Sequence, residues 1–167
     1  MSVSFLATLA FAIIAGAGAS GMAPEPSMRE LCEKEVVELH RFFQDWFGGV
    51  LENDDATFGR FGGVLAEGFL IVSPNSAATE REPLIERLRG AYGSWATGSE
   101  RPGRIWIEKL RVRRSVEDWA IVTYEEWQQV GGETRGRIST AVFGRREGTP
   151  NGVEWLHVHE TWLPAQS

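Results

Sequence analysis

Residues 153–163, Val153-Glu154-Trp155-Leu156-His157-Val158-His159-Glu160-Thr161-Trp162-Leu163, read as the closing strand of a sheet. The run is rich in β-branched and aromatic residues and follows the turn-forming stretch Glu147 to Gly152. A strict period of two puts Trp155, His157, His159 and Thr161 on one face, because successive side chains on a strand point to opposite sides. Three earlier runs share the period: Arg104 to Arg114, Asp118 to Val130 and Thr134 to Arg146. They are joined by Ser115-Val116-Glu117 and Gly131-Gly132-Glu133, so the four runs predict an antiparallel meander.

Upstream the period changes to that of a helix. Between Leu31 and Leu51, Cys32, Val36, Leu39, Phe43, Trp46 and Val50 step by four and three, which is one helix face. Gly48-Gly49 weakens its end, and Asn53-Asp54-Asp55 offers caps for a short helical turn through Phe58 and Phe61. A strand is expected from Phe69 to Ser73, closed by Pro74-Asn75-Ser76. Thr79 with Glu82 has the capping-box spacing, which predicts a second helix with the face Leu84, Ile85, Leu88, Tyr92 and Trp95, ending between Gly98 and Gly103. Helices first and strands later is the α+β order.

Both faces of the meander are partly apolar. In the second run Trp119, Ile121, Thr123, Glu125 and Trp127 share one side, and Ala120, Val122, Tyr124, Glu126 and Gln128 share the other. The third run repeats this, with Ile138, Thr140 and Val142 against Ala141 and Phe143. A sheet with one wet face would alternate cleanly, so something is expected to cover each side. Two helices cover one side, and a second copy of the chain is the expected cover of the other: a homodimer.

A chain of 167 residues suits one domain with a proper core. The expected division is an apolar leader and linker at 1–28, the domain at 29–164 and a tail at 165–167. Val3 to Ala15 followed by Gly16-Ala17-Gly18-Ala19-Ser20 has the layout of a signal peptide, lacking a basic residue near Met1; the alternative is a start at Met22 or Met28. The protein is exported under the first reading and cytoplasmic under the second. The run is too short to span a bilayer, so no stable membrane span is expected. A net charge of −6 with scattered basic residues argues against nucleic acid as a partner. The single Cys32 excludes an internal disulfide and a multi-cysteine zinc site. Seven Trp and nine Phe suit a core and equally an aromatic-lined cavity.

The order of these elements resembles the nuclear transport factor 2-like superfamily, which includes ketosteroid isomerases and SnoaL-type cyclases. More specifically, Val142-Phe143-Gly144-Arg145-Arg146-Glu147-Gly148 followed by Trp155-Leu156-His157-Val158-His159-Glu160 is similar to the final hairpin of a SnoaL-like branch of unknown function. The association domain of calcium/calmodulin-dependent kinase II shares that hairpin style. The resemblance implies a cone-shaped, cystatin-like fold, in which a curved antiparallel sheet wraps around N-terminal helices. It also implies a pocket and a dimer.

Three function classes stay open. A small-molecule-binding dimer would use Trp46, Tyr92, Trp95, Arg137, Trp155, His157 and His159 as pocket residues, around a small apolar or a carbonyl- or carboxylate-bearing ligand. An isomerase, cyclase or hydrolase would need a cavity-facing base, and His159 and Glu125 are the candidates. The third class is an oligomerisation or accessory domain. The His157/His159 spacing can bind a metal, but a third ligand would have to come from Glu125, Glu126, Glu160, Cys32 or His40, none at a recognisable spacing. No metal and no cofactor are expected.

Overall fold

A computed structural model describes residues 25–96 and 103–164. The leader, the end of the expected second helix and the tail lie outside the described residues. The described chain runs α1 (Met28–Phe47), α2 (Asp55–Gly62), β1 (Leu65–Val72), β2 (Ala78–Glu80), α3 (Arg81–Arg89), β3 (Arg104–Val116), β4 (Trp119–Val130), β5 (Glu133–Arg145) and β6 (Val153–Trp162). The six strands form one mixed sheet in the order β2-β1-β6-β5-β4-β3. The meander β3 to β6 is antiparallel throughout, and β1 joins its far edge parallel to β6. This is the α+β arrangement expected from the order of helical and strand periods.

Local chemistry sets most of the boundaries. Ser27 caps α1 with a reciprocal capping box to Glu30, and Asp54 caps α2 through Thr57 N at 2.7 Å. At the β4–β5 turn both Gly131 and Gly132 have positive φ, 59° and 88°, which is the turn that matches strand twist in a two-residue hairpin. Lys109, at φ 50°, sits in a register shift of β3 between Glu108 and Arg111. A bulge there bends the strand and helps curve the sheet around α1.

Three expectations are corrected. Thr79 lies in the short strand β2 and α3 begins at Arg81, whose preceding residue Glu80 makes no side-chain cap. The β1–β2 hairpin, closed by Ser73 N donating to Ala77 O at 2.9 Å, takes the residues that sequence spacing gave to a helix start. Tyr92 and Trp95 consequently follow α3 instead of continuing it. Their segment docks on the end of α1, with Gly93 N and Trp95 N donating to Trp46 O and Phe47 O at 3.0 and 2.9 Å. Val50 lies beyond α1 and is exposed.

α1 crosses the concave face of the sheet and packs on β3, β4 and β6. The core between them contains Cys32, Val36, Leu39 and Trp46 from α1 and Val122, Ala141, Phe143 and Trp155 from the sheet. Burial pushes the Cys32 thiol up to about 12, so it packs as an unreactive hydrophobe. On the convex face Trp127 lies stacked beside Trp106 and over Gly136, its cross-strand partner. A Cβ at Gly136 would come within 2.6 Å of the Trp127 ring. Gly136→Ala is therefore expected to cost about 1–3 kcal/mol by overpacking, read as a lower urea midpoint at unchanged slope.

Candidate functional site

The site is built on alternate residues of three adjacent strands. On β4, Ala120, Val122, Tyr124, Glu126 and Gln128 share the concave side, and on β5 Arg137, Ser139, Ala141 and Phe143 do so. On β6 the concave residues are Trp155, then Val158, Glu160 and Trp162. The change of parity comes from a β-bulge. Val142 pairs with His157 and Phe143 with Trp155, so Leu156 is an extra residue in the β6 ladder. One added residue turns every later side chain to the opposite face.

That bulge corrects the expectation that Trp155, His157 and His159 share a face. Trp155 is buried inside the cone, whereas His157 and the exposed His159 stand on the convex side beside Val142 and Thr140. Glu125 is also convex, held by Lys109 Nζ at 2.7 Å and Trp127 Nε1 at 3.2 Å. Neither proposed base faces the interior.

Inside the cone an open cavity of about 600 Å³ lies between α1, α3 and the sheet. Phe43, Phe47, Phe61, Phe69 and Trp95 supply much of its aromatic wall. Trp95, Arg137 and Trp155, among the expected pocket residues, line it. Trp46 does not: it is fully buried in the core, with Nε1 donating to Leu88 O at 2.9 Å. Tyr92 is likewise structural, its hydroxyl donating to Leu51 O at 2.7 Å while its ring stands edge-on to Trp46.

The polar base of the cavity is a four-residue network. Arg137 Nη2 donates to both Glu126 oxygens at 2.8 Å, and Arg137 Nε lies 2.9 Å from Glu160 Oε1. The second contact is an ion pair without hydrogen-bond alignment, which leaves the buried Nε–H without an acceptor. His40 on α1 donates from Nδ1 to Val36 O at 2.6 Å and places Nε2 3.1 Å from Glu126 Oε2. The Tyr124 ring stands edge-on to His40, and burial pushes its hydroxyl well above the usual phenol range.

The two carboxylates respond differently to the same guanidinium. Burial alone would raise Glu126, but Arg137 and His40 outweigh it and hold its carboxyl at about 2. For Glu160 burial outweighs the pull of Arg137, and its carboxyl is raised above the usual range. Because Glu126 is lowered on folding, its contribution is fully present above about pH 4.5 and is lost as pH falls through about 2. Acid unfolding of the wild type is expected to lose part of its dependence between those limits in Glu126→Gln, as read by circular dichroism across a pH series.

His40, Glu126 and Glu160 entered the sequence reading only as spare metal ligands, yet the fold joins them through Arg137. For Glu126 a signal was present: it continues the parity of Ala120, Val122 and Tyr124, the buried face of β4. Another buried carboxylate went unnoticed. Glu35, fully buried, accepts from Arg60 Nη1 and Nη2 at 3.1 and 2.8 Å, from Asn151 Nδ2 at 2.8 Å and from Trp155 Nε1 at 3.0 Å. Its helical phase, beside Cys32 and Val36, marked it as inward. Among the described residues no three metal-ligating side chains gather into one group, and no helix is long and apolar enough to cross a membrane.

Known proteins are similar to this chain. The profile of the sucrose-6-phosphate phosphohydrolase C-terminal family matches residues 32–164. Sucrose-phosphatase 1 of Nicotiana tabacum is 28% identical over 130 residues, covering 77% of this chain and 30% of its own length. Sucrose-phosphatase 2 of the same plant is 24% identical over 165 residues, covering 90% and 38%. The chain thus spans about a third of the length of these curated relatives. Among solved structures, an NTF-2 like protein of unknown function from Pseudomonas aeruginosa superposes with a TM-score of 0.69 at 25% identity, covering 80% of this chain and 98% of that one. The S. rosetta CaMKII hub superposes with a TM-score of 0.61 at 13% identity, covering 85% and 100%. The chain belongs to the sucrose-6-phosphate phosphohydrolase C-terminal family and has the nuclear transport factor 2-like fold.

Proposed function

We propose that residues 29–164 form a small-molecule-binding accessory domain whose ligand enters the cone and meets Arg137 and Glu160 at its base. The observation that carries this reading is the His40–Glu126–Arg137–Glu160 network, a few convergent polar groups at the end of an otherwise aromatic cavity. A packed core of this size would ordinarily exclude so many ionisable groups, because each costs several kcal/mol to desolvate, as an order of magnitude. The relatives named sucrose-phosphatases make sugars the first class to test. Sucrose and its 6-phosphate are the natural probes.

The experiment is native mass spectrometry of the protein as purified, followed by addition of each probe. A retained small molecule, or a mass shift that saturates with a probe, is the expected result. An empty protein that takes up no probe at millimolar concentration would overturn the reading. An isomerase-, cyclase- or hydrolase-type activity finds less support, because His159 and Glu125 lie on the convex side.

The convex face favours one further element of this proposal, a homodimer. It presents Ile138, 40% exposed, with half-buried Ile121 and Val142 and the neighbouring Thr140 and His159. Pairing with a second copy would bury this face. Sedimentation is expected to give a dimer that Ile138→Asp dissociates by at least about tenfold in Kd, corresponding to the loss of one central apolar anchor; a monomer at high concentration would remove the dimer from the proposal.

A further inference from the structure

We infer that the cavity takes an uncharged, polyhydroxylated molecule of sugar size and discriminates against the phosphate ester of the same molecule. The inference rests on the binding reading above and adds the chemical class of the ligand.

The first ground is how the charges at the base are already spent. Glu126 lies between His40 Nε2 at 3.1 Å and Arg137 Nη2 at 2.8 Å, and Glu160 lies 2.9 Å from Arg137 Nε. Two carboxylates thus face one guanidinium and one imidazole. An incoming phosphate would have to compete with Glu126 for Arg137 and would face Glu160 as a like charge. Stripping water from a phosphate without a free cation is unfavourable. The remaining lining cation, Arg87, is exposed on α3, where solvent screens it.

The second ground is the hydrogen-bonding character of the base. The guanidinium donates only and an ionised carboxylate accepts only, while the Gln128 amide does both. A ligand carboxylate or phosphate group can accept but not donate, so it offers no donor to Glu160, whose hydrogen-bond donor among the described residues is Ser139 Oγ at 3.4 Å. A hydroxyl donates and accepts at once and suits every one of these groups. Phe47 and Trp95, packed 5.0 Å apart by ring centroids, offer apolar surface for the C–H faces of a ring whose hydroxyls reach the base.

The test is isothermal titration of the full chain with sucrose, sucrose 6-phosphate and inorganic phosphate. Sucrose is expected to bind at least about tenfold more tightly than its ester, with no heat from inorganic phosphate. In Glu160→Gln, which removes one negative charge at nearly constant shape, binding of the ester is expected to strengthen relative to sucrose, so that the preference narrows several-fold. Glu126→Gln serves as the second variant if the first is unstable. Equal or tighter binding of the ester, competition by inorganic phosphate, or a retained anionic ligand would overturn the inference and leave the binding reading standing. Failure of both sugars together with a protein purified empty would overturn both.

Discussion

Arg60→Met is expected to lower the stability of the domain by about 3–5 kcal/mol, the cost of stranding a buried charge without its partner. Glu35 is fully buried on α1 and Arg60 is its bidentate counter-ion from α2. The same carboxylate receives Asn151 from the β5–β6 turn and Trp155 from β6. Methionine keeps most of the stem volume, so cavity formation adds little and the loss reports the charge. Four segments meet at Glu35, so the variant should also loosen the closing strand against α1. The double variant Arg60→Met/Glu35→Leu should recover part of the loss, since a buried pair can often be exchanged for apolar groups at little cost. Urea denaturation with matched slopes checks both steps. A single variant within about 1 kcal/mol of wild type would show that water reaches Glu35 despite its burial.

The second large effect is expected at Arg137. Arg137→Met leaves Glu126, 3% exposed, and Glu160, 5% exposed, beside each other's charge with no guanidinium between them. A loss of about 3–5 kcal/mol at neutral pH follows from the same argument. Its pH dependence separates it from a simple packing defect. In the wild type Arg137 is the chief influence holding Glu126 below the usual carboxylate range. Without it both carboxyls are expected to shift upward, Glu160 further above its unfolded value and Glu126 with only His40 and Gln128 left to oppose burial. A carboxyl raised above its unfolded value stabilises the fold below the unfolded carboxylate pKa, and that contribution is lost as pH rises through the raised folded value. The variant should therefore be more stable near pH 4 than near pH 7, and Arg137→Met/Glu126→Gln should flatten the difference. A penalty equal at both pH values would assign the role of Arg137 to packing.

Local periodicity made α1, α2 and the four-strand meander legible, because each rests on contacts between residues close in the chain. The Gly131-Gly132 turn fixed one hairpin by φ alone. Trp95, Arg137 and Trp155 were legible as cavity residues for a weaker reason: each is a large side chain in an element that the cone brings inward. Trp46 and Tyr92 show where that argument stops, since an aromatic on an inward helix face or loop can equally fill the core.

What the sequence determined by itself is the type and order of elements, and hence an α+β sheet wrapped on a leading helix. Only the tertiary structure decided which side chains meet inside it. The Leu156 bulge exists because β6 must pair with β5 on one side and β1 on the other while following the curve of the cone. Period two contains no mark for an extra residue, so the histidines read as Trp155's neighbours although they stand on the far side of the sheet. His40 reaches Glu126 across 86 residues of chain. That contact depends on how α1 crosses the concave face, a geometry set by packing the whole core at once and not by the spacing within either segment.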